Sequence, residues 1–332
     1  MKAVYVKEFG GAENLEIREV ENPPKPSGKE VLVNVKASAL NRADLLQRKG
    51  FYPAPNGFPE RILGLEFAGE VAEIGEETTH FKTGDRVFGI TAGGAQAEFL
   101  LSDESLLAPI PGNLSFSEAA AIPEAFITAH DAIFTNGNLQ NGETLLIHAV
   151  GSGVGLAALQ LAKSRGIDVI GTSRTREKLL KAFEYGPGMM SISFEEEDSV
   201  KNMANTIHTF NKGNGVDVIL DLVGAAYFQA NLESLNLKGR LILVGTTSGS
   251  KAELNFSQVM SKRLKIIGTV LRSRSTKEKA EATRKFAEEV VPLFETGALK
   301  PNIDKIFKIG EIRAAHEYLE SNASFGKVVL EF

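Results

Sequence analysis

Three glycines spaced two apart, Gly151, Gly153 and Gly155 in AVGSGVG, follow the apolar run TLLIHA and open the amphipathic stretch LAALQLAK. A strand, a glycine turn and a helix in that order let backbone N–H groups and the positive end of a helix dipole close on a pyrophosphate. Ser152 and Val154 lie inside the same turn. The spacing is GxGxG rather than GxGxxG, and glycines also gather at ordinary strand-to-helix turns, so the residues downstream decide what the turn is for. A unit that prefers NAD carries an Asp or Glu about 20 residues further on, at the end of its second strand. Here the strand IDVIGTS runs instead into Arg174, with Thr172, Ser173, Thr175, Arg176 and Lys178 around it. Hydroxyl donors and a guanidinium suit a ribose 2′-phosphate, and the guanidinium can also lie flat on adenine. The expected cofactor is NADPH, with Ser173, Arg174 and Lys178 as phosphate ligands. The competing reading is the solvated start of a helix, where basic side chains would oppose the macrodipole.

Other chemistries are bounded by composition. The chain has 332 residues and no Cys, which removes disulfides, thiolate metal sites and a cysteine nucleophile. Its five His residues, His80, His130, His148, His208 and His316, form no close-spaced ligand pair, so no metal is expected. A net charge of -5 offers no footprint for nucleic acid or an anionic membrane. No run of about 18 apolar residues is present and MKAVYVKEFGG lacks a signal-peptide core, so the expected location is cytoplasmic.

The elements that must position these residues fall into two regions. Residues 1–122 read as strands and turns: AVYV, LEIREV, VLVNVKA, FAGEVAEIG, GDRVFGI and AEFLL, broken by NPPKPSGKE and YPAPNGFPE. One early helix, NRADLLQRK, is capped by Asn41 and closed at Gly50. From residue 123 to 269, six short strands alternate with helical patterns, which implies a doubly wound parallel sheet. A long helix is expected over 277–296, then a helix and a last strand that returns to the β-rich region, so that 1–122 and 270–332 form one domain and 123–269 the other.

Taken together, ALNRADLLQRKGFYPAP, ILGLEFAGEVAEIG, GDRVFG, GGAQAEF, AAAIPEAFITAHDAI, the SGVG turn and the closing GKVVLEF resemble the medium-chain dehydrogenase/reductase superfamily, in its zinc-lacking branch of NADPH:quinone oxidoreductases. The combination of IPEA, IHA before SGVG, and LRSR is similar to the tumour-suppressor-inducible type. The resemblance spans essentially the whole chain and implies an α/β fold, a doubly wound Rossmann sheet plus a β-rich GroES-like catalytic domain. It implies an enzyme that passes a hydride to a quinone or related activated carbonyl, in a dry cleft between the domains. An enoyl or alkenal reductase on the same scaffold is the nearest alternative, and a low-turnover NADPH-binding regulatory protein is another.

By this resemblance Asn41 and Thr128 reach the nicotinamide or its ribose, the Gly245 region passes under the ring, and Lys327 lies close to the cofactor. Tyr52, in the loop GFYPAPNGFP, presents its phenol to the acceptor oxygen, while Phe51, Phe58 and Phe126 are candidate apolar walls. Arg272 and Arg274 read equally as contacts to cofactor phosphate or substrate and as solvated surface. Where zinc-dependent members carry a His, this chain has Leu65, beside a Glu66 read as structural. The chain departs from the family at Phe194, where a Tyr usually meets the 2′-phosphate, and at YGPGMM, residues 185–190, which replaces a glycine-alanine turn. A homodimer is implied, with the strand near 264–269 pairing across a two-fold axis.

Overall fold

The computed structural model describes residues 1–196 and 198–332. In chain order the strands are β1 (Lys2–Val6), β2 (Leu15–Glu19), β3 (Glu30–Leu40), β4 (Glu66–Ile74), β5 (Arg86–Ile90), β6 (Phe99–Asp103) and β7 (Leu107–Pro109); then β8 (Thr144–Ile147), β9 (Asp168–Ser173), β10 (Met190–Ser193), β11 (Val216–Asp221), β12 (Leu235–Leu243) and β13 (Lys265–Gly268); then β14 (Ile303–Lys308) and β15 (Lys327–Glu331). The chain divides into two compact units, Met1–Ile127 with Leu271–Phe332, and Thr128–Val270. The fold is the expected α/β class, a Rossmann sheet and a separate GroES-like sheet.

In the first unit a seven-stranded sheet runs β14-β15-β3-β4-β5-β7, with β6 paired to β3. The last strand does return: β15 lies antiparallel to β3 with Val328 opposite Leu40, and β3 lies antiparallel to β4 with Ser38 opposite Phe67. Alternation along β3 buries Val31, Val33 and Val35 against Phe67, Val71 and Val87, the period-two pattern of a strand with one face in the core. Because β15, β3 and β4 are neighbours, Lys327, Leu40 and Glu66 meet at one end of the sheet.

The helix expected over 277–296 is two helices, Thr276–Glu289 and Val291–Glu295. Pro292 has no N–H to donate back one turn, and its ring crowds the carbonyl four residues earlier, so the first helix stops before it.

The second unit is a six-stranded parallel sheet in the order β10-β9-β8-β11-β12-β13. The order reverses at β8, which starts the chain outward in both directions, and in such sheets ligands bind beyond the carboxyl ends of the strands at that switch. Leu146, Ile170, Ile219 and Leu241 are fully buried from four adjacent strands, as near-continuous apolar strands in a two-sided sheet must be.

Candidate functional site

At the end of β3 the backbone turns into the helix Arg42–Arg48, with Asn41 at its N-cap in an extended conformation. The Asn41 side chain takes part in the capping box of this helix and also reaches beyond it. Its Nδ2 donates to Glu66 Oε1 at 2.9 Å, and its Oδ1 accepts from Lys327 Nζ at 2.7 Å. Lys327 Nζ also donates to the Leu40 carbonyl at 3.0 Å and pairs with Glu66 Oε1 at 2.5 Å. Asp44 supplies the other half of the box: its Oδ2 accepts from Asn41 N at 2.7 Å, and its Oδ1 accepts from Gly64 N at 2.9 Å. Gly64 has φ +102, and a Cβ there would come within 2.7 Å of Gln96 N, so only glycine brings that N–H to Asp44. Asp44 is fully buried; burial raises its pKa to about 6, against the two N–H groups and the charges of Lys327 and Arg272, which lower it.

Glu66 is itself fully buried, and both its carboxylate oxygens are occupied: Oε2 accepts from the N–H of Glu124 at 2.8 Å. Glu124 follows Pro123 at the start of the helix Pro123–His130, where a proline fits and the next N–H has no partner inside the helix. Glu66 satisfies that donor. The Glu124 side chain is partly exposed. Burial, then the negative charge of Glu66 and that of Asp44, push its pKa up to about 8, against Lys327 and Arg272. This favours the carboxylic acid form at neutral pH. Thr128 lies one turn further along this helix.

Arg272, read from sequence as either ligand or surface, is 4% exposed and acts as a clamp. Nε donates to Ala92 O at 2.8 Å, Nη1 to Tyr52 O at 3.1 Å and Nη2 to Gln47 Oε1 at 2.5 Å, and the guanidinium carbon lies 4.8 Å from the centre of the Tyr52 ring. The Tyr52 loop is therefore held from both its backbone and its ring. Burial raises the pKa of the phenol, so it stays a donor. Of the candidate walls, Phe126 is fully buried edge-on against Phe294 and belongs to the core, while Phe51 is 77% exposed. Lys279 Nζ sits 5.4 Å from the centre of the Phe58 ring.

In the second unit, β8 leads through the glycine turn into the helix Gly153–Ser164, capped by Ser152, whose Oγ accepts from Gly155 N at 3.1 Å. As an acceptor there, Ser152 keeps its hydroxyl proton to donate. A Cβ on Gly155 would lie 2.5 Å from Ala149 O and 2.8 Å from the Val150 backbone, so the helix packs against the turn only with glycine. Ser173 closes β9 and accepts from Thr175 N at 3.3 Å; Arg174 follows it, exposed, and Lys178 lies partly buried in the helix Arg176–Ala182. Gly245, after β12, donates to Asp221 O at 3.2 Å, and a Cβ there would meet Leu222 O at 2.6 Å. Glycine is thus required by close backbone packing at both turns where a dinucleotide passes in this architecture. These residues fit such a ligand.

Two features here escaped the sequence reading. Phe194, which lacks the hydroxyl of its family counterpart, packs edge-on against Tyr227 with ring centres 5.1 Å apart, and Arg174 lies close enough to Tyr227 to lower the phenol's pKa against the rise from burial. A phenol is thus supplied from a different element. Behind it, His148 is fully buried, bonded through Nδ1 to Thr172 Oγ1 at 2.9 Å and through Nε2 to Asn231 Oδ1 at 2.6 Å. Asn231 in turn donates to Asp221 Oδ2 at 3.0 Å, while Asp221 Oδ1 accepts from the N–H groups of Val223 and Gly224. Burial lowers the His148 pKa and keeps the ring neutral. This network ties β8, β9 and β11 together at their carboxyl ends.

Two sequence families match the chain: the alcohol dehydrogenase GroES-like domain over residues 27–129 and the zinc-binding dehydrogenase domain over residues 153–288. The residues present do not fit the metal of the second name. Leu65 is buried, the Lys327 ammonium sits between Asn41 and Glu66, and among the described residues no three His, Cys, Asp or Glu side chains are placed to hold an ion. The quinone oxidoreductase of Lama guanicoe is 33% identical over 99% of this chain and 97% of its own length. The crystal structure of Escherichia coli quinone oxidoreductase complexed with NADPH superposes with a TM-score of 0.88 at 29% identity, covering all of both chains. The JamJ enoyl reductase structure superposes with a TM-score of 0.86 at 27% identity over 99% and 98% of the two chains.

Proposed function

Because this chain belongs to the medium-chain dehydrogenase/reductase family and is similar over its full length to quinone oxidoreductases, we propose that it is an NADPH-dependent, metal-independent reductase of quinones or related activated carbonyls. The observation that carries the reading is the end of β9: no acid stands where NAD enzymes bond the ribose 2′-hydroxyl, and Arg174 takes its place beside Tyr227. When bound, the dinucleotide supplies a hydride; the protein supplies position and charge. The turn Gly151, Ser152, Gly153, Val154 and Gly155 receives the pyrophosphate, with the Ser152 hydroxyl as a donor and Gly155 spending its own N–H on Ser152 Oγ; Ser173, Arg174 and Lys178 hold the 2′-phosphate, and the chain at Gly245 lies along the nicotinamide half. Asn41 and Thr128 orient that half, Lys327 holds Asn41 and adds a fixed positive charge, and the Tyr52 phenol donates to the acceptor oxygen.

In functional terms, residues 1–122 and 270–332 form the catalytic domain and 123–269 the dinucleotide-binding domain. We also read the protein as cytoplasmic, with no role for nucleic acid; no helix among the described residues is long and apolar enough to cross a membrane. A homodimer built through β13 is supported by the open edge of that strand and by the neighbouring helix Phe256–Lys262, which buries none of its residues and leaves Phe256 and Met260 72% and 71% exposed.

A second reading, reduction of α,β-unsaturated carbonyls, is favoured by the protonated Glu124, since a quinone can take its protons from water whereas an enone needs one delivered to carbon. The experiment is oxidation of NADPH, with NADH in parallel, against ortho-quinones, para-quinones and alkenals. Turnover of quinones with a clear NADPH preference supports the first reading, turnover confined to alkenals the second, and tight binding of NADPH without turnover opposes both.

A further inference from the structure

Three carboxyls crowd the end of the β15-β3-β4 strands, and they are not equivalent. Glu66 is fully buried with Lys327 and Asn41 on one oxygen and the Glu124 N–H on the other. Asp44 is fully buried with a backbone N–H on each oxygen. Glu124 alone has an exposed face, and among the described residues no side chain donates a hydrogen bond to its carboxyl. Its backbone is fixed by Glu66 at the first turn of its helix, so the carboxyl projects from an anchored point. The ionised groups that face it are Glu66 and Asp44 on one side of the balance and Lys327, Arg272 and Lys279 on the other, with the neutral Tyr52 phenol beside them.

We propose that Glu124 is the acid that delivers a proton to the reduced acceptor. The inference rests on the reductase reading above. The acceptor gains two electrons and one hydrogen as hydride from the reduced nicotinamide, which leaves an anion: an enolate from an enone, a phenolate from a quinone. The O–H bond of Glu124 breaks, its proton forms a C–H bond at the enolate α-carbon or an O–H bond on the phenolate, and the electron pair stays on the carboxylate. Water then reprotonates Glu124 at its open face. Burial first, and then the neighbouring Glu66 charge, favour the proton on Glu124 at neutral pH, against the opposing charge of Lys327.

The test compares wild type with Glu124→Gln, which keeps shape and has no proton to give, and Glu124→Asp, which keeps an acid. General acid catalysis is worth roughly 10²–10⁴-fold, so kcat for an alkenal falls by about that factor in Glu124→Gln, falls less for a quinone, and is partly restored in Glu124→Asp. In wild type, kcat for the alkenal declines as pH rises through about 8, and this limb is absent from the variant's residual rate. Independently of turnover, the infrared difference between ligand-free wild type and Glu124→Gln at pH 7 shows the carbonyl stretch of a protonated carboxylic acid that converts to carboxylate above pH 8. Alkenal turnover within threefold of wild type in Glu124→Gln, or a carboxylate band at pH 7, overturns the proton-donor role and leaves the reductase reading standing. Wild type that oxidises NADPH with neither acceptor class removes both.

Discussion

Lys327 and Glu66 form an ion pair at 2.5 Å with side chains 5% and 0% exposed. A buried pair of this kind gains little over an apolar pair, but breaking it strands a charge, at a cost of about 3–5 kcal/mol. Lys327→Met is therefore expected to lower unfolding free energy by about that amount. Lys327→Met combined with Glu66→Gln is expected to recover a large part, because no bare carboxylate remains. Urea denaturation of the two variants measures both; equal losses would mean that the pair is not electrostatically coupled.

Arg174 is exposed, so its removal leaves the fold intact and isolates its role in recognition. A charge-assisted bond to phosphate contributes roughly 1.5–3 kcal/mol, or about 10- to 100-fold in affinity. Arg174→Asp should raise the Kd for NADPH by at least that factor while changing NADH little. Tyr227→Phe should produce a smaller loss in the same direction. Titration calorimetry with both dinucleotides decides it, and parallel losses for NADH would remove the 2′-phosphate assignment.

His316 is fully buried, and among the described residues neither ring nitrogen has a hydrogen-bond partner. Burial and the nearby charge of Arg48, only partly offset by Glu320, lower its pKa to about 3. The sign follows from linkage: the unfolded chain takes up the proton first as pH falls below about 6.5, so this stability is fully present above that pH and is lost progressively on the way down to about 3. By pH 5 the loss is about 2 kcal/mol. In His316→Leu the decline between pH 7 and pH 5 should be shallower by that amount in denaturant melts. An unchanged slope would assign the acid limb to other groups.

The apolar surface beside β13 makes the oligomeric state testable by one change. Wild type should scatter light as a dimer at micromolar concentration, and Met260→Glu, which puts a charge on a 71% exposed apolar position, should scatter as a monomer with its fold retained. A monomeric wild type would sink the dimer proposal.

Much of the architecture was legible because its cause is local. Apolar runs of parallel-strand length, the glycine turn at Gly151–Gly155 and the N-cap at Asn41 are all written within a few neighbouring residues, and each forms where the pattern implies. Pro292, inside the stretch 277–296 expected as one helix, is the local signal of the break between Thr276–Glu289 and Val291–Glu295. The site was legible in part. The resemblance singles out Asn41 and Lys327, whereas the ion pair that joins Lys327 to Glu66, the Arg272 clamp 225 residues from Gln47, and the acidity of Glu124 depend on which charges meet in the interior. No pattern over short spans encodes that. A Glu inside the apolar stretch AAAIPEAFI was the available hint, since an acid in such a run needs a partner or a proton. Tyr227 was similarly hidden, because it reaches Phe194 from another strand-to-helix connection.

The sequence separation inside the Asn41–Lys327 hydrogen bond is 286 residues. During synthesis, the helix Arg42–Arg48 with Asp44 and β4 with Glu66 emerge long before the strand that brings Lys327 to them exists, and at about 5–20 residues per second the interval is on the order of 15–60 s. For that period Asp44 and Glu66 lack their ammonium, and the edge of β3 that β15 will cover stands open. It gains by staying open and hydrated, since closing early would bury unpaired charge. Arrival of β15 covers that edge and delivers the ammonium in one event, so this corner is completed only with the final strand.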